Sequence, residues 1–70
     1  MVNIWDYRDY GRVKIITITG KEYEGNIISL LASEDLEDLI DNPEDTIDIE
    51  NDTGIYGFKA SEIAKIVRLN

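Results

Sequence analysis

Cysteine and histidine are both absent from this 70-residue chain. Disulfides and the ordinary zinc sites are therefore excluded. Catalysis is left with little to work with: a general base or nucleophile must be a carboxylate, Ser, Tyr or Lys, and no nucleophile–base pair stands out. No apolar run approaches the roughly 20 residues that span a bilayer. The opening Met-Val-Asn-Ile-Trp-Asp-Tyr has neither the basic start nor the apolar stretch of a signal peptide. Basic residues are few, 7 against 15 acidic, giving a net charge of −8. Nucleic-acid binding and attachment to anionic membranes both draw on Lys and Arg, so this balance counts against each and favours solubility or a basic partner. The absences together lead to the expectation of a soluble cytoplasmic protein, not an enzyme, with no cofactor and no membrane contact.

A chain this short is expected to form one domain, residues 1–70, and to bury only about 60% of its unfolded surface. Small domains are reinforced by disulfides, a structural metal or oligomerisation. With the first two removed, a homo-oligomer gains weight.

The residues that are present read mainly as strands. Residues 1–11 place Ile4, Tyr7 and Tyr10 at helical spacing and stop at Gly11, which predicts a short N-terminal helical turn, with Trp5 covering an open end of the core. Arg12 to Thr19 is rich in β-branched residues and predicts a first strand, followed by a tight turn at Gly20-Lys21. Val13 and Ile15 take one face of it and Ile16 and Ile18 the other. The second pair needs a cover, either the N-terminal turn, which is favoured, or a second subunit. A second strand runs from Glu22 to about Leu31, with Tyr23, Gly25, Ile27 and Ser29 on one face and Glu22, Glu24, Asn26, Ile28 and Leu30 on the other. Its central Gly25 marks a bulge or sharp bend. Thr46 to Glu50 alternates, with Ile47 and Ile49 inward. Asn51-Asp52-Thr53-Gly54 is a hairpin turn, Ile55 to about Lys59 a fourth strand, Ala60 to Ile63 one helical turn, and Ala64 to Leu69 the last strand. Five short strands with a mid-strand glycine predict an all-β fold, a small, strongly bent barrel.

Between the second and third strands the pattern breaks. Ten of the 15 acidic residues lie between Glu34 and Asp52, a stretch without Lys or Arg. Residues 33–45 form an acidic excursion, either a loop or a short helix capped by Ser33, with Leu36, Leu39 and Ile40 on one face and Asn42-Pro43 at its end. Asp41, Glu44, Asp45 and Asp48 are candidates for weak divalent-cation binding. The spacing fails as an EF-hand, because Thr46 stands where that loop needs glycine. A solvated charged face is the simpler reading, and docking on a basic partner a third.

Val13 and Ile15, Gly20, Tyr23, Gly25 and Ile27 resemble the first Sm motif: apolar residues two apart, a glycine turn, an aromatic, then a glycine. Ile47 and Ile49, the Gly54 turn, and Ser61-Glu62-Ile63 leading into Ile66 and Val67 fit the last three strands of that barrel. The opening Ile4-Trp5-Asp6-Tyr7 with Gly11 resembles short Sm-like (SH3-like) proteins of Gram-positive bacteria. The likeness covers about residues 4–69 with one insertion. It implies a five-stranded barrel, and, as in Sm-like rings, pairing of the fourth strand with the fifth strand of the next subunit. The RNA-contacting pairs of the family do not carry over: after the second strand stands Ala32-Ser33-Glu34-Asp35-Leu36, and around the fourth Tyr56-Gly57-Phe58-Lys59.

The leading functional expectation is a non-catalytic protein-interaction or assembly module whose partner is another protein or itself. Ile55, Tyr56 and Phe58 on the fourth strand and Ile66 and Leu69 on the fifth are its candidate interaction residues. Tyr56 and Phe58 share a strand face, so both are expected to be buried or both exposed. An RNA-binding ring using Arg8, Arg12, Lys14, Lys59, Lys65 and Arg68 is the alternative. It is disfavoured by charge, although all basic residues lie outside residues 22–58.

Overall fold

Five antiparallel strands follow one another along the chain in the computed structural model, which describes residues 2–36 and 44–69. They are β1 (Arg12–Thr17), β2 (Glu22–Leu31), β3 (Thr46–Asn51), β4 (Gly54–Lys59) and β5 (Ile63–Arg68). A 3-10 turn (Ile4–Tyr7) precedes β1, one helical turn, α1 (Ser33–Leu36), follows β2, and a second 3-10 turn (Ala60–Glu62) joins β4 to β5. Hydrogen-bonded neighbours run β4-β3-β2-β1-β5, so the sheet begins and ends on the two strands joined by that second turn.

Alternation in the sequence, shifted once in β2 and once in β5, decides the inner face. Val13 and Ile15 of β1, Ile27 and Leu30 of β2, Ile47 and Ile49 of β3, Phe58 of β4, and Ile63 and Ile66 of β5 meet in one cluster with Ile4 and Ala60. One sheet brings residues from all five strands into a single cluster only by curling around it, the bent, barrel-like arrangement expected of short strands with tight turns. Ile15, Ile47 and Ile49 have no exposed surface at all. Each such side chain stabilises the fold by about 1.5–3 kcal/mol relative to an exposed position. Ile4 is equally enclosed, so the N-terminal turn is part of the core, with Asn3 capping it through its side chain to the Trp5 N–H.

Two expectations about faces are corrected. The register of β2 against β3 shifts between Ile27 and Ser29, a bulge at Ile28. The extra residue reverses the alternation, so Leu30 joins Tyr23, Gly25 and Ile27 inside while Ile28 turns out. Gly25 is not the bulge; it is a place of close approach, where a Cβ would lie 2.7 Å from the Glu50 carbonyl oxygen. In β1 the strand ends at Thr17, earlier than Thr19. The Thr17 N–H and C=O are engaged by Lys21 and Gly20 across the turn, and Gly20 takes a positive φ of 90°. Ile18 therefore lies in the turn, 68% exposed, and the N-terminal segment does not cover it.

At the far end, Asn51 and Gly54 close the β3–β4 hairpin with Gly54 at φ 137°. Leu39, Ile40, Asp41, Asn42 and Pro43 lie outside the described residues.

Candidate functional site

β4 pairs only with β3, and β5 only with β1. Each therefore has one side whose backbone groups meet no ladder, and the register tells which groups these are. Opposed residues in an antiparallel pair alternate between those that exchange hydrogen bonds and those whose N–H and C=O point away. The Leu69 N–H donates to the Arg12 carbonyl at 3.0 Å and the Ile18 N–H to the Glu62 carbonyl at 3.0 Å. Arg12, Lys14 and Ile16 thus turn their backbone toward β5. Ile66 opposite Ile15, and Arg68 opposite Val13, point theirs outward. On the other edge the Ala60 N–H donates to the Asp45 carbonyl at 2.9 Å, and the same alternation turns Ile55, Gly57 and Lys59 outward.

The β4 edge is the barer of the two. Its outward Lys59 N–H is taken by a Glu62 carboxylate oxygen at 2.8 Å, while the outward groups of Ile55 and Gly57 meet no ladder among the described residues. Ile55 is 61% exposed. Gly57 adds no side chain, and the Asp48 carboxylate on β3 lies across it: a Cβ there would be 2.7 Å from Asp48 Oδ1. Tyr56 and Phe58 point to the other face, where both rings pack on Tyr23 with centroids 5.3 and 5.2 Å away. Phe58 is buried and Tyr56 half-buried. Of the interaction residues expected on this strand, Phe58 sends its side chain into the core, because alternation directs it inward.

The β5 edge is partly occupied. The Ile66 side chain is buried, but its carbonyl points out and accepts a hydrogen bond from the Tyr7 hydroxyl at 3.0 Å. The Arg68 guanidinium lies 4.9 Å from the centre of the Tyr7 ring. Its Nη1 donates to both Asp9 carboxylate oxygens, at 2.7 and 2.6 Å, and Nη2 donates to the Asp6 carbonyl. The hydrogen bonds that Arg68 donates hold the Asp9 carboxyl below the usual range, and the same bonds hold Arg68 above its own. Leu69, 39% exposed, continues the edge. A shallow depression of about 740 Å³ runs beside this strand, walled by Val2, Tyr7, Ile18, Ala64, Lys65 and Ile66 among others.

The acidic candidates are largely committed to the fold. Asp45 accepts the Trp5 indole Nε1–H at 2.8 Å on one oxygen and the Ser33 N–H at 2.8 Å on the other. Its carboxyl is held below the ordinary range first by the bond from Trp5, then by that from Ser33. Glu44 receives the Ser61 N–H at 3.1 Å and the Ser61 hydroxyl at 2.9 Å. Asp48 lies over Gly57, and Asp41 is outside the described residues. Among the described residues Glu44, Asp45 and Asp48 belong to no cluster of three or more metal-binding side chains. Two of the basic residues on β1 are likewise engaged: Arg12 pairs with Glu24 at 3.7 Å, and Lys14 with Glu22 at 3.3 Å and Glu24 at 3.9 Å. No helix among the described residues is long and apolar enough to cross a membrane.

Tyr7, Asp9 and the outward carbonyl of Ile66 were not legible as parts of one site. The sequence signal was limited to an aromatic in a helical turn next to an acid, 59 residues from its partner. Comparison with family models, curated proteins and solved structures gave no match.

Proposed function

We propose that this chain is a non-catalytic assembly module of Sm-like kind, whose copies join by pairing the β4 edge of one with the β5 edge of the next. The observation that carries this reading is the strand order. It leaves two edges of one curled sheet, with Ile55 and Gly57 presenting ladder groups on one and Ile66 and Arg68 on the other. An open edge invites another strand unless it is blocked, and a head-to-tail contact between two different edges can close into a ring.

Charges of opposite sign lie near the two edges of one copy. Asp48, Glu50 and Asp52 lie on the β3–β4 hairpin, whereas Lys65 and Arg68 lie on β5. The net charge of −8 opposes association, but at about 0.1 M salt charges further apart than about 10 Å are largely screened, so the local contacts decide. The RNA reading draws no support from the pairing of Arg12, Lys14 and Arg68 with Glu24, Glu22 and Asp9, since phosphates must displace those carboxylates.

Amide hydrogen exchange at rising protein concentration tests the reading. The outward amides of Ile55 and Gly57 are expected to exchange fast in dilute solution and to slow as concentration rises. Exchange that stays fast throughout contradicts it.

A further inference from the structure

We propose that Tyr7 is a gate on the β5 edge: its hydroxyl occupies the outward Ile66 carbonyl, and a strand of a second copy can pair there only after displacing it. The inference rests on edge-to-edge assembly and adds to it the residue that controls entry. Three observations support it, each drawn from a different part of the geometry.

The first is the direction of the Ile66 carbonyl. The register against β1 points it away from the sheet, so an incoming strand needs this acceptor for its ladder. Tyr7 donates to it at 3.0 Å. The second is the position of the ring. Tyr7 forms part of the wall of the depression beside β5, the lane an added strand must occupy, and the rest of that wall includes the apolar Val2, Ile18 and Ala64. The third is the clamp. Arg68, a further residue with outward backbone on β5, stacks over the Tyr7 ring and is anchored by Asp9 and the Asp6 carbonyl, all on the same N-terminal segment.

On the other edge the outward Lys59 N–H is held by a Glu62 carboxylate oxygen, at the corner where β4 leads into β5. At Ile55 and Gly57 nothing comparable to Tyr7 reaches the outward groups among the described residues. The molecule therefore has one edge open over Ile55 and Gly57 and one guarded at Ile66. Since Ile4 of the same turn is in the core, the gate opens by movement of the Tyr7 side chain and the Asp9–Arg68 pair, with the turn itself staying in place. A guard of this kind limits edge-to-edge association to conditions in which a correct partner strand competes with the hydroxyl.

The test is sedimentation equilibrium of the full chain from micromolar to millimolar concentration, comparing wild type with Tyr7→Phe, Asp9→Asn and Trp5→Phe. Tyr7→Phe keeps the ring and frees the carbonyl. Asp9→Asn, at an exposed position, loosens the Arg68 clamp without touching the core. Trp5→Phe removes a hydrogen bond from the same turn but leaves Ile66 capped, and so controls for general loosening. Tyr7→Phe and Asp9→Asn are expected to tighten association by about fivefold, the scale of one hydrogen bond, with Trp5→Phe unchanged. Equal association by wild type and both variants, or the same gain from Trp5→Phe, overturns the gate and leaves assembly standing. Monomers from every variant at every concentration overturn assembly, and the gate with it.

Discussion

The Trp5 indole N–H and the Asp45 carboxylate meet at 2.8 Å across 40 residues of chain, fixing the N-terminal turn to the strand entry at β3. The second Asp45 oxygen accepts the Ser33 N–H, so one side chain joins three segments. Asp45→Ala is expected to lower unfolding free energy by about 2 kcal/mol, as for charge-assisted hydrogen bonds to partly buried groups. The folded-state pKa of Asp45 is depressed. Its contribution is therefore present above the unfolded carboxyl pKa of about 3.9 and is lost as pH falls through the lower folded value. Urea titrations at pH 7 and near pH 3 should find wild type well above Asp45→Asn in the first and the gap reduced in the second. A gap that widens on acidification contradicts the assignment.

Gly25 and Gly57 should respond differently to alanine. At Gly25 the new Cβ meets backbone, the Glu50 carbonyl oxygen at 2.7 Å, which cannot move without shifting β3. At Gly57 it meets the end of the Asp48 side chain, which can rotate away. Gly25→Ala is expected to destabilise by about 1–3 kcal/mol, and Gly57→Ala by under about 1 kcal/mol. Denaturant midpoints of the two variants check the order, and equal losses contradict it.

Ile47 and Ile18 form a similar contrast. Ile47 is fully enclosed, and Ile47→Ala should destabilise by about 2–5 kcal/mol. Ile18 is 68% exposed, and Ile18→Ser should fall within about 0.5 kcal/mol in dilute solution. A large loss at Ile18 that grows with protein concentration identifies a second copy as its cover.

Much of the fold was legible because period-two alternation and turn glycines act locally. Glu22–Leu31 and the β3–β4 hairpin follow from neighbours alone. The Ile28 bulge was not, since nothing in Ile27-Ile28-Ser29 says which isoleucine is the extra residue; the ladder with β3 decides it. The acidic stretch misled in part for the same reason. Glu44 and Asp45 look like solvated charge in sequence, yet their partners are Ser61, Trp5 and Ser33, brought together by the fold. Which edge is open and which guarded is a matter of strand order and one long-range contact, Tyr7 to Ile66.

Edge assembly predicts a specific effect of charge on β4. Ile55→Lys adds a second basic side chain to the face of β4 that carries Lys59 and removes the exposed isoleucine, while leaving the bonds of β4 to β3 in place. It should weaken association by about tenfold or more with little change in monomer stability, read by comparing association constants and unfolding curves. Unchanged association moves the contact away from β4.

The most direct measurement is the absolute molar mass of the wild-type chain by light scattering on a size-exclusion column, at moderate salt and over a range of protein concentrations, with Ile55→Lys alongside. Wild type is expected to rise from the 8.0 kDa chain mass to a multiple of it as concentration increases, and Ile55→Lys to stay near 8.0 kDa over the same range. Wild type that holds at 8.0 kDa up to millimolar concentration contradicts assembly through the β4 and β5 edges.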